Sequence, residues 1–277
     1  MLSAVLDWAR QDTGIRALVV TGSLARGDGS ADQWSDLDVQ VIASEFASFI
    51  ADDGWLDGLG EVWIRFPLYQ DVPYKLVWFA GGVKVDFQFL KVDSIHEMIS
   101  SGALSDEYLR GYVVLLDKDE LLRDLPPSPQ IFPRSDPPSA EQVDAVINEF
   151  YFEAIHVAQF IRRREFWVVK FRDWTMKCDL LQMQEWHAHA NSIEPVNTWL
   201  LGKRIHEWAG KENYAALAEI WSAWDVAALW RGLLRQITLF SKLSRELSEA
   251  LGYDLDTGAH EQIEAYIRAL HADDDLN

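Results

Sequence analysis

The chain has a single cysteine, Cys178. One thiol cannot build an internal disulfide framework, which fits a protein of a reducing cytoplasm. Set in an apolar helical stretch, it is expected to fill core rather than act as a nucleophile. No segment reads as a membrane span. The first twenty residues carry Asp7, Arg10, Asp12 and Arg16, so neither a signal-peptide core nor a spanning helix can be drawn there. Internal repeats and low-complexity tracts are missing as well. Cations are scarce, with 25 Lys and Arg against 44 Asp and Glu, a formal net charge of −19. Such a field repels polyanions and draws in polycations, so nucleic acid is not an expected substrate.

What remains is ample. The 277 residues suffice for two small domains or one large one with a full core. Tryptophan is plentiful at thirteen residues. Most are expected in the core, among them Trp167, Trp174 and Trp186, with a few left to line a pocket, where an indole face suits sugars and cations.

The stretch Thr21–Gln40 carries the chemistry. Gly22-Ser23 closes the apolar run Ala17–Val20, and Asp36-Leu37-Asp38 opens a second run, Val39–Ala43. On a strand, residues two apart share a face, so Asp36, Asp38 and Gln40 point one way while Leu37, Val39 and Val41 point the other. Paired carboxylates raise each other's pKa, and a hard cation between them relieves this; magnesium is the expected occupant. Gly22 and Ser23 offer a turn with N–H groups and a hydroxyl for phosphate oxygens. The stretch therefore reads as a site for a metal-bound nucleoside triphosphate.

In chain order, residues 2–11 form an amphipathic helix and Ala17–Val20 a strand. Ser44 is expected to cap a helix reaching about Asp53. Val62–Phe66, Lys75–Phe79 and Val83–Leu90 are strands, the last two joined by a Gly81-Gly82 turn. In Val83–Leu90 the apolar residues alternate with Lys84, Asp86 and Gln88, so Asp86 projects from the polar face. Alone it would be a solvated strand residue; beside Asp36-x-Asp38 in the same sheet it becomes a third converging carboxylate. Asp93-Ser94-x-x-Glu97 predicts a capping box, and Val113–Leu116 a further strand. The proline-dense segment 125–138 ends both helix and sheet, placing a linker between an α/β domain at 1–124 and a helical domain at 139–277. In the latter, Ser139-x-x-Gln142 is a capping box, and helices are expected to about Arg164 and at Phe171–Ala190, Thr198–Ala209, Tyr214–Trp224, Val226–Leu251 and Ala259–Ala272. Arg162-Arg163-Arg164 reads as a solvated helix end and Asp273-Asp274-Asp275 as a frayed tail. The fold class is α+β, a mixed-sheet domain followed by an all-α bundle.

Gly22-Ser23, a spacer and Asp36-x-Asp38 entering an apolar strand resemble the signature of the DNA polymerase β-like nucleotidyltransferase superfamily, in which a third carboxylate, here Asp86, stands on a nearby strand. Asn148-Glu149-Phe150, the segment Leu180–His187 and Leu201-Gly202-Lys203 resemble landmarks of its aminoglycoside 6-adenylyltransferase branch. The likeness then spans nearly the whole chain. Relatives often carry arginine directly after Gly-Ser, where this chain has Leu24, which alters the expected phosphate contact without removing a metal ligand.

The resemblance implies transfer of AMP from ATP to a hydroxyl of streptomycin, the 6-position, giving antibiotic resistance. Two Mg2+ ions would be held by Asp36, Asp38 and Asp86, with either Asp86 or Glu149 accepting the proton. Gly22, Ser23, Arg26 and Lys203 would contact the nucleotide, and the second domain would supply acidic and aromatic groups to the amino sugar. Against these stand plainer readings: Arg26 as a loop arginine, Lys84 as a counter-charge, Lys203 and Glu153 as helix-surface residues. His187 and His189, two apart on a helix, cannot share one zinc. Partners are then ATP and a cationic aminoglycoside, with neither nucleic acid nor membrane, and the working form a monomer or small homo-oligomer. The alternatives are a nucleotidyltransferase for another acceptor, a metabolite or protein, and a non-catalytic antitoxin-like binding module.

Overall fold

In the computed structural model, residues 1–69, 72–133, 136–255 and 258–274 are described. Positions 134–135 of the proline-rich segment and 275–277 of the acidic end lie outside them. Two compact units divide the chain, Met1–Pro133 and Arg134–Asn277. Among the described residues no helix is long and apolar enough to cross a membrane.

The first unit is a six-stranded mixed sheet. β1 (Ile15–Val20), β2 (Leu37–Ala43), β3 (Val62–Tyr69), β4 (Pro73–Phe79), β5 (Val83–Lys91) and β6 (Val113–Asp117) lie in the order β3-β4-β5-β2-β1-β6. β2 pairs with β5 in parallel; the remaining pairings are antiparallel. Strand alternation gives the two faces different cores. Val39, Val41, Phe87 and Phe89 pack with α1 (Leu2–Gln11), α3 (Ala47–Ala51) and the 3-10 turn Gly54–Gly58, where Trp8 stacks on Trp55 at 4.5 Å. Ile42 and Leu90, on the other face, pack with Ile95 and Met98 of α4 (Val92–Ser101) and Tyr108 of α5 (Asp106–Arg110). Asp38 and Gln40 share the Ile42 face, and Asp86 and Gln88 share that of Leu90.

Several local expectations are corrected. Ser44 does not cap α3: its N–H is held by the Gly14 carbonyl at 3.2 Å, and the Glu45 carboxylate accepts from the Ala47 N–H instead. α4 starts directly from β5 with Lys91 as its flanking residue, so Asp93 sits inside the first turn and no side-chain cap forms. The one-and-a-half-turn α5 was not foreseen; five residues are too few to show a helical period.

The second unit is helical: α6 (Ala140–Arg162), α7 (Phe166–Asn191), α8 (Ile205–Trp208), α9 (Lys211–Leu217), α10 (Val226–Leu251) and α11 (Gly258–Asp274). Ser139 and Gln142 form the expected reciprocal capping box of α6, and the Asp225 carboxylate caps α10. The helix expected over 198–209 shrinks to the single turn α8, because Leu200, Leu201, Gly202 and Arg204 all adopt positive φ. Likewise 214–224 gives only α9, ending at Leu217.

α7 inverts the usual pattern. Trp167 is 79% exposed, and Phe171, Trp174 and Cys178 are exposed too, whereas Lys177, Asp179 and Gln184 are buried. Trp167, Trp174 and Cys178 are therefore not core; Trp186 is half-buried against it. Burial of Lys177 is offset by the Asp173 carboxylate at 2.6 Å, Gln236 Oε1 at 3.1 Å and the Trp221 ring. The end of α11 is not frayed either. Asp274 accepts from Arg164 and from the Trp230 indole, each at 2.8 Å, with Arg162 within 3.6 Å, so two members of the arginine run are anchors rather than a solvated helix end.

Candidate active site

β1 delivers the chain into a bend at Thr21, whose N–H donates to the Asp38 carbonyl at 3.1 Å. Gly22 follows at φ +68°, a conformation costly for residues with a Cβ. A Cβ there would also collide with the Asp38 carboxylate, so glycine is required twice over. Ser23 then lies in the short helix α2 (Gly22–Arg26), half-exposed, with Leu24 next to it in solvent. Arg26 turns back into its own loop, to Asp28 at 3.1 Å and Ser30 Oγ at 2.8 Å.

Asp36 precedes β2, Asp38 lies on it, and Asp38 is the cross-strand partner of Asp86 on β5. The structure thereby brings together Asp36, Asp38 and Asp86: one oxygen from each falls within 4.8 Å of the others, and all three residues are half-buried. Lys84 Nζ bridges this cluster, 2.7 Å from Asp86 Oδ2 and 3.0 Å from Asp36 Oδ2. Burial alone would lower its pKa, yet the bonds and charges of Asp86 and Asp36 outweigh that and raise it. Three carboxylates against one ammonium leave two negative charges. Oxygen donors at this spacing, with that residual charge, suit a small divalent cation such as magnesium.

The field extends along the sheet. Tyr74 on β4 has its hydroxyl pKa pushed up to about 12, by burial first and then by the charges of Glu107, Asp38 and Asp86. One step beyond the carboxylates, Gln40 donates to Gln88 across the same strand pair at 2.6 Å. A second arginine, not singled out from the sequence, stands near the bend: Arg110, buried, lowered to about 10 by burial and by the charge of Arg26. Its guanidinium lies over the Phe132 ring, 5.0 Å from the centroid. Gly111, at φ +140°, lets the end of α5 press onto the backbone of Ala25 and Arg26.

Glu149 and Lys203 belong to the second unit. Glu149 is exposed on α6; Lys203 is exposed on the turn before α8. Glu153 is engaged by Arg172, one nitrogen of which donates to both carboxylate oxygens at 3.0 and 2.9 Å. A residue that sequence reasoning missed is Asp179 on α7. It is 8% exposed, one of its oxygens has no partner among the described residues, and its pKa is pushed up to about 7 by burial, Glu149 and Glu153. Its only sequence signal is a carboxylate on the apolar side of a helix. His187 and His189 part company as expected, toward Glu246 and Thr198.

Comparison with known proteins gives a consistent result. The family model described as streptomycin adenylyltransferase matches residues 1–270. The aminoglycoside 6-adenylyltransferase of Bacillus subtilis (strain 168) is 23% identical over 273 residues, covering 93% of each chain. That of Campylobacter jejuni is 24% identical over 261 residues, 90% of this chain and 87% of its own. A Staphylococcus aureus protein of the same name is 25% identical over 203 residues, 69% of each.

Proposed function

Since this chain belongs to the streptomycin adenylyltransferase family, we propose that it moves AMP from ATP to a hydroxyl of streptomycin, at the 6-position, and so confers resistance. The observation that carries this reading is the cluster of Asp36, Asp38 and Asp86 with its residual double negative charge beside the Gly22 bend. Asp36 and Asp38 would hold magnesium on the nucleotide side, and Asp86 on the side of the attacking hydroxyl. With magnesium held there, the site would supply charge neutralisation for phosphate oxygens and would favour ionisation of the hydroxyl. Asp86, a member of that cluster, would take the hydroxyl proton.

Ser23 and the neighbouring N–H groups hold the terminal phosphates, so that attack and departure of pyrophosphate lie in line. Arg26, Arg110 and Lys203 add positive charge for the triphosphate. Glu149, exposed and within electrostatic reach of Asp179, serves the acceptor, as partner to a guanidinium or ammonium rather than as base. The net charge of −19 supports a polycationic acceptor.

The test is pyrophosphate release from ATP and magnesium with streptomycin, run beside a panel of other aminoglycosides. Streptomycin-dependent release, and a product carrying AMP on the 6-hydroxyl, is expected. Release with another acceptor alone would move the activity to that acceptor, and release with none would refute the reading.

A further inference from the structure

Beside the carboxylate cluster, on the same face of the sheet, lies a cavity of about 390 Å³. Gln40 and Gln88 form its floor, with Glu97 and Met98 of α4 and Glu107 and Tyr108 of α5 around it. Gln40 and Gln88 are the next residues on the face that carries Asp38 and Asp86, about 7 Å along the strands. The cavity thus prolongs the row of side chains that begins at the carboxylates. Tyr74, which feels both Glu107 and the Asp38–Asp86 pair, marks the same continuity.

Two buried polar atoms in the cavity wall have no hydrogen-bond partner among the described residues: Gln40 Oε1, on a residue 2% exposed, and the hydroxyl of Tyr108, 1% exposed. The Gln40 amide is already committed to Gln88, so its oxygen is left to accept from something that enters. Buried acceptors of this kind carry a desolvation penalty unless a ligand or an ordered water supplies the donor. The lining decides the sign of that ligand. It includes the carboxylates of Glu97 and Glu107 and no lysine or arginine, which is wrong for a phosphate and right for a cation rich in N–H donors.

We propose that this cavity is a subsite of the acceptor, holding one ring that bears a guanidinium or ammonium group while the hydroxyl to be modified stands at Asp86. It rests on the reading of Asp36, Asp38 and Asp86 as an adenylyl-transfer site. The cationic group donates to Gln40 Oε1 and is balanced by Glu107 and Glu97 at the mouth. The subsite selects for the separation between a cation and the reactive hydroxyl, a property that neither the carboxylates nor the phosphate-binding bend can provide.

The double variant Glu97→Gln, Glu107→Gln alters two solvent-accessible carboxylates and leaves the packing of Tyr108 intact. With streptomycin as acceptor, its KM is expected to rise about tenfold with kcat within about twofold and KM for ATP unchanged, the signature of lost ground-state binding. An unchanged acceptor KM in an active enzyme overturns the proposal. If the wild-type protein turns over no acceptor of the aminoglycoside panel, the adenylyl-transfer reading fails separately, and titration with methylguanidinium decides the subsite. Saturable shifts of the Gln40 and Gln88 side-chain amide resonances, lost in the double variant, support it. Absence of any shift means the cavity holds water only and overturns it.

Discussion

Asp38 and Asp86 stand directly opposite one another across the parallel β2–β5 pair, so two carboxylates distant in sequence become nearest neighbours on one sheet face. Like charges so placed are tolerated because Lys84 lies against one of them and a divalent cation can bridge both. Asp38→Asn and Asp86→Asn keep shape while removing one charge each. Each is expected to lower adenylyl transfer by about a hundredfold or more, the scale on which loss of one charge-stabilising group acts. The heat of magnesium binding measured with ATP should vanish, while the thermal midpoint stays level or rises as repulsion is relieved. Near-normal turnover in both variants would remove these residues from the chemistry.

Gly22 faces the same carboxylate from the other side. Gly22→Ala forces a Cβ into the Asp38 oxygen and a left-handed φ on an L-residue. The expected cost is about 1–2 kcal/mol of stability, together with a loss of activity comparable to Asp38→Asn, because the carboxylate must turn away. A fully active Gly22→Ala enzyme would show that Asp38 has no fixed position to defend.

How much of this could be read from the chain depends on the range of the signal. Period-two alternation in 37–43 and 83–91 sufficed to aim Asp38 and Asp86 correctly, since orientation on a strand is a local property. Their adjacency needed the parallel pairing, which no local pattern encodes. Capping succeeded at Ser139, where the box residues flank a long apolar stripe, and failed at Ser44 and Asp93, where the sheet fixes the chain before the helix starts. Asp179, Lys177 and the outward tryptophans of α7 escaped because that helix buries charge and exposes rings, against the rule by which a helix face is chosen.

Asp274 shows the same limit at the end of α11. Its carboxylate takes bonds from Arg164 and Trp230 and lies near Arg162. Burial opposes ionisation, but these partners outweigh it and hold the carboxyl below its usual range. Stability from this group is therefore full above the ordinary carboxylate pKa of about 4 and is lost as pH falls through the lower folded value. Asp274→Asn should cost about 1–3 kcal/mol in denaturant unfolding at pH 7, with the gap to wild type closing in acid. An equal gap at pH 7 and pH 3 would contradict this.

Lys84 occupies the place between Asp36 and Asp86 toward which a cation would be drawn. Lys84→Met leaves three carboxylates without that counter-charge. Without divalent ions the variant should unfold at lower temperature than wild type, and magnesium should restore it more steeply, since no ammonium has to be displaced. Manganese binding, followed by its paramagnetic signal, is expected to tighten. Weaker manganese binding in Lys84→Met would instead make the lysine a part of the cation site's support.

Asp179 reverses the pH behaviour of Asp274. Burial, Glu149 and Glu153 push its pKa up to about 7, so the folded protein keeps the proton that the unfolded chain releases near pH 4. Whatever this group contributes is complete below about pH 4 and is lost progressively as pH rises toward 7, after which the penalty is constant. Asp179→Asn removes the ionisable proton while keeping the shape. The variant should match wild type near pH 4 and exceed it at pH 8 by up to a few kcal/mol, the scale of a shift of this size. Calorimetric unfolding of both proteins across that range measures the difference directly. If the same carboxylate is ionised to receive a cationic group of the acceptor, saturating streptomycin should close the gap at pH 8 by stabilising wild type more than Asp179→Asn. A stability difference that does not change with pH would mean that Asp179 titrates as an ordinary surface acid and that its burial has no bearing on the acceptor.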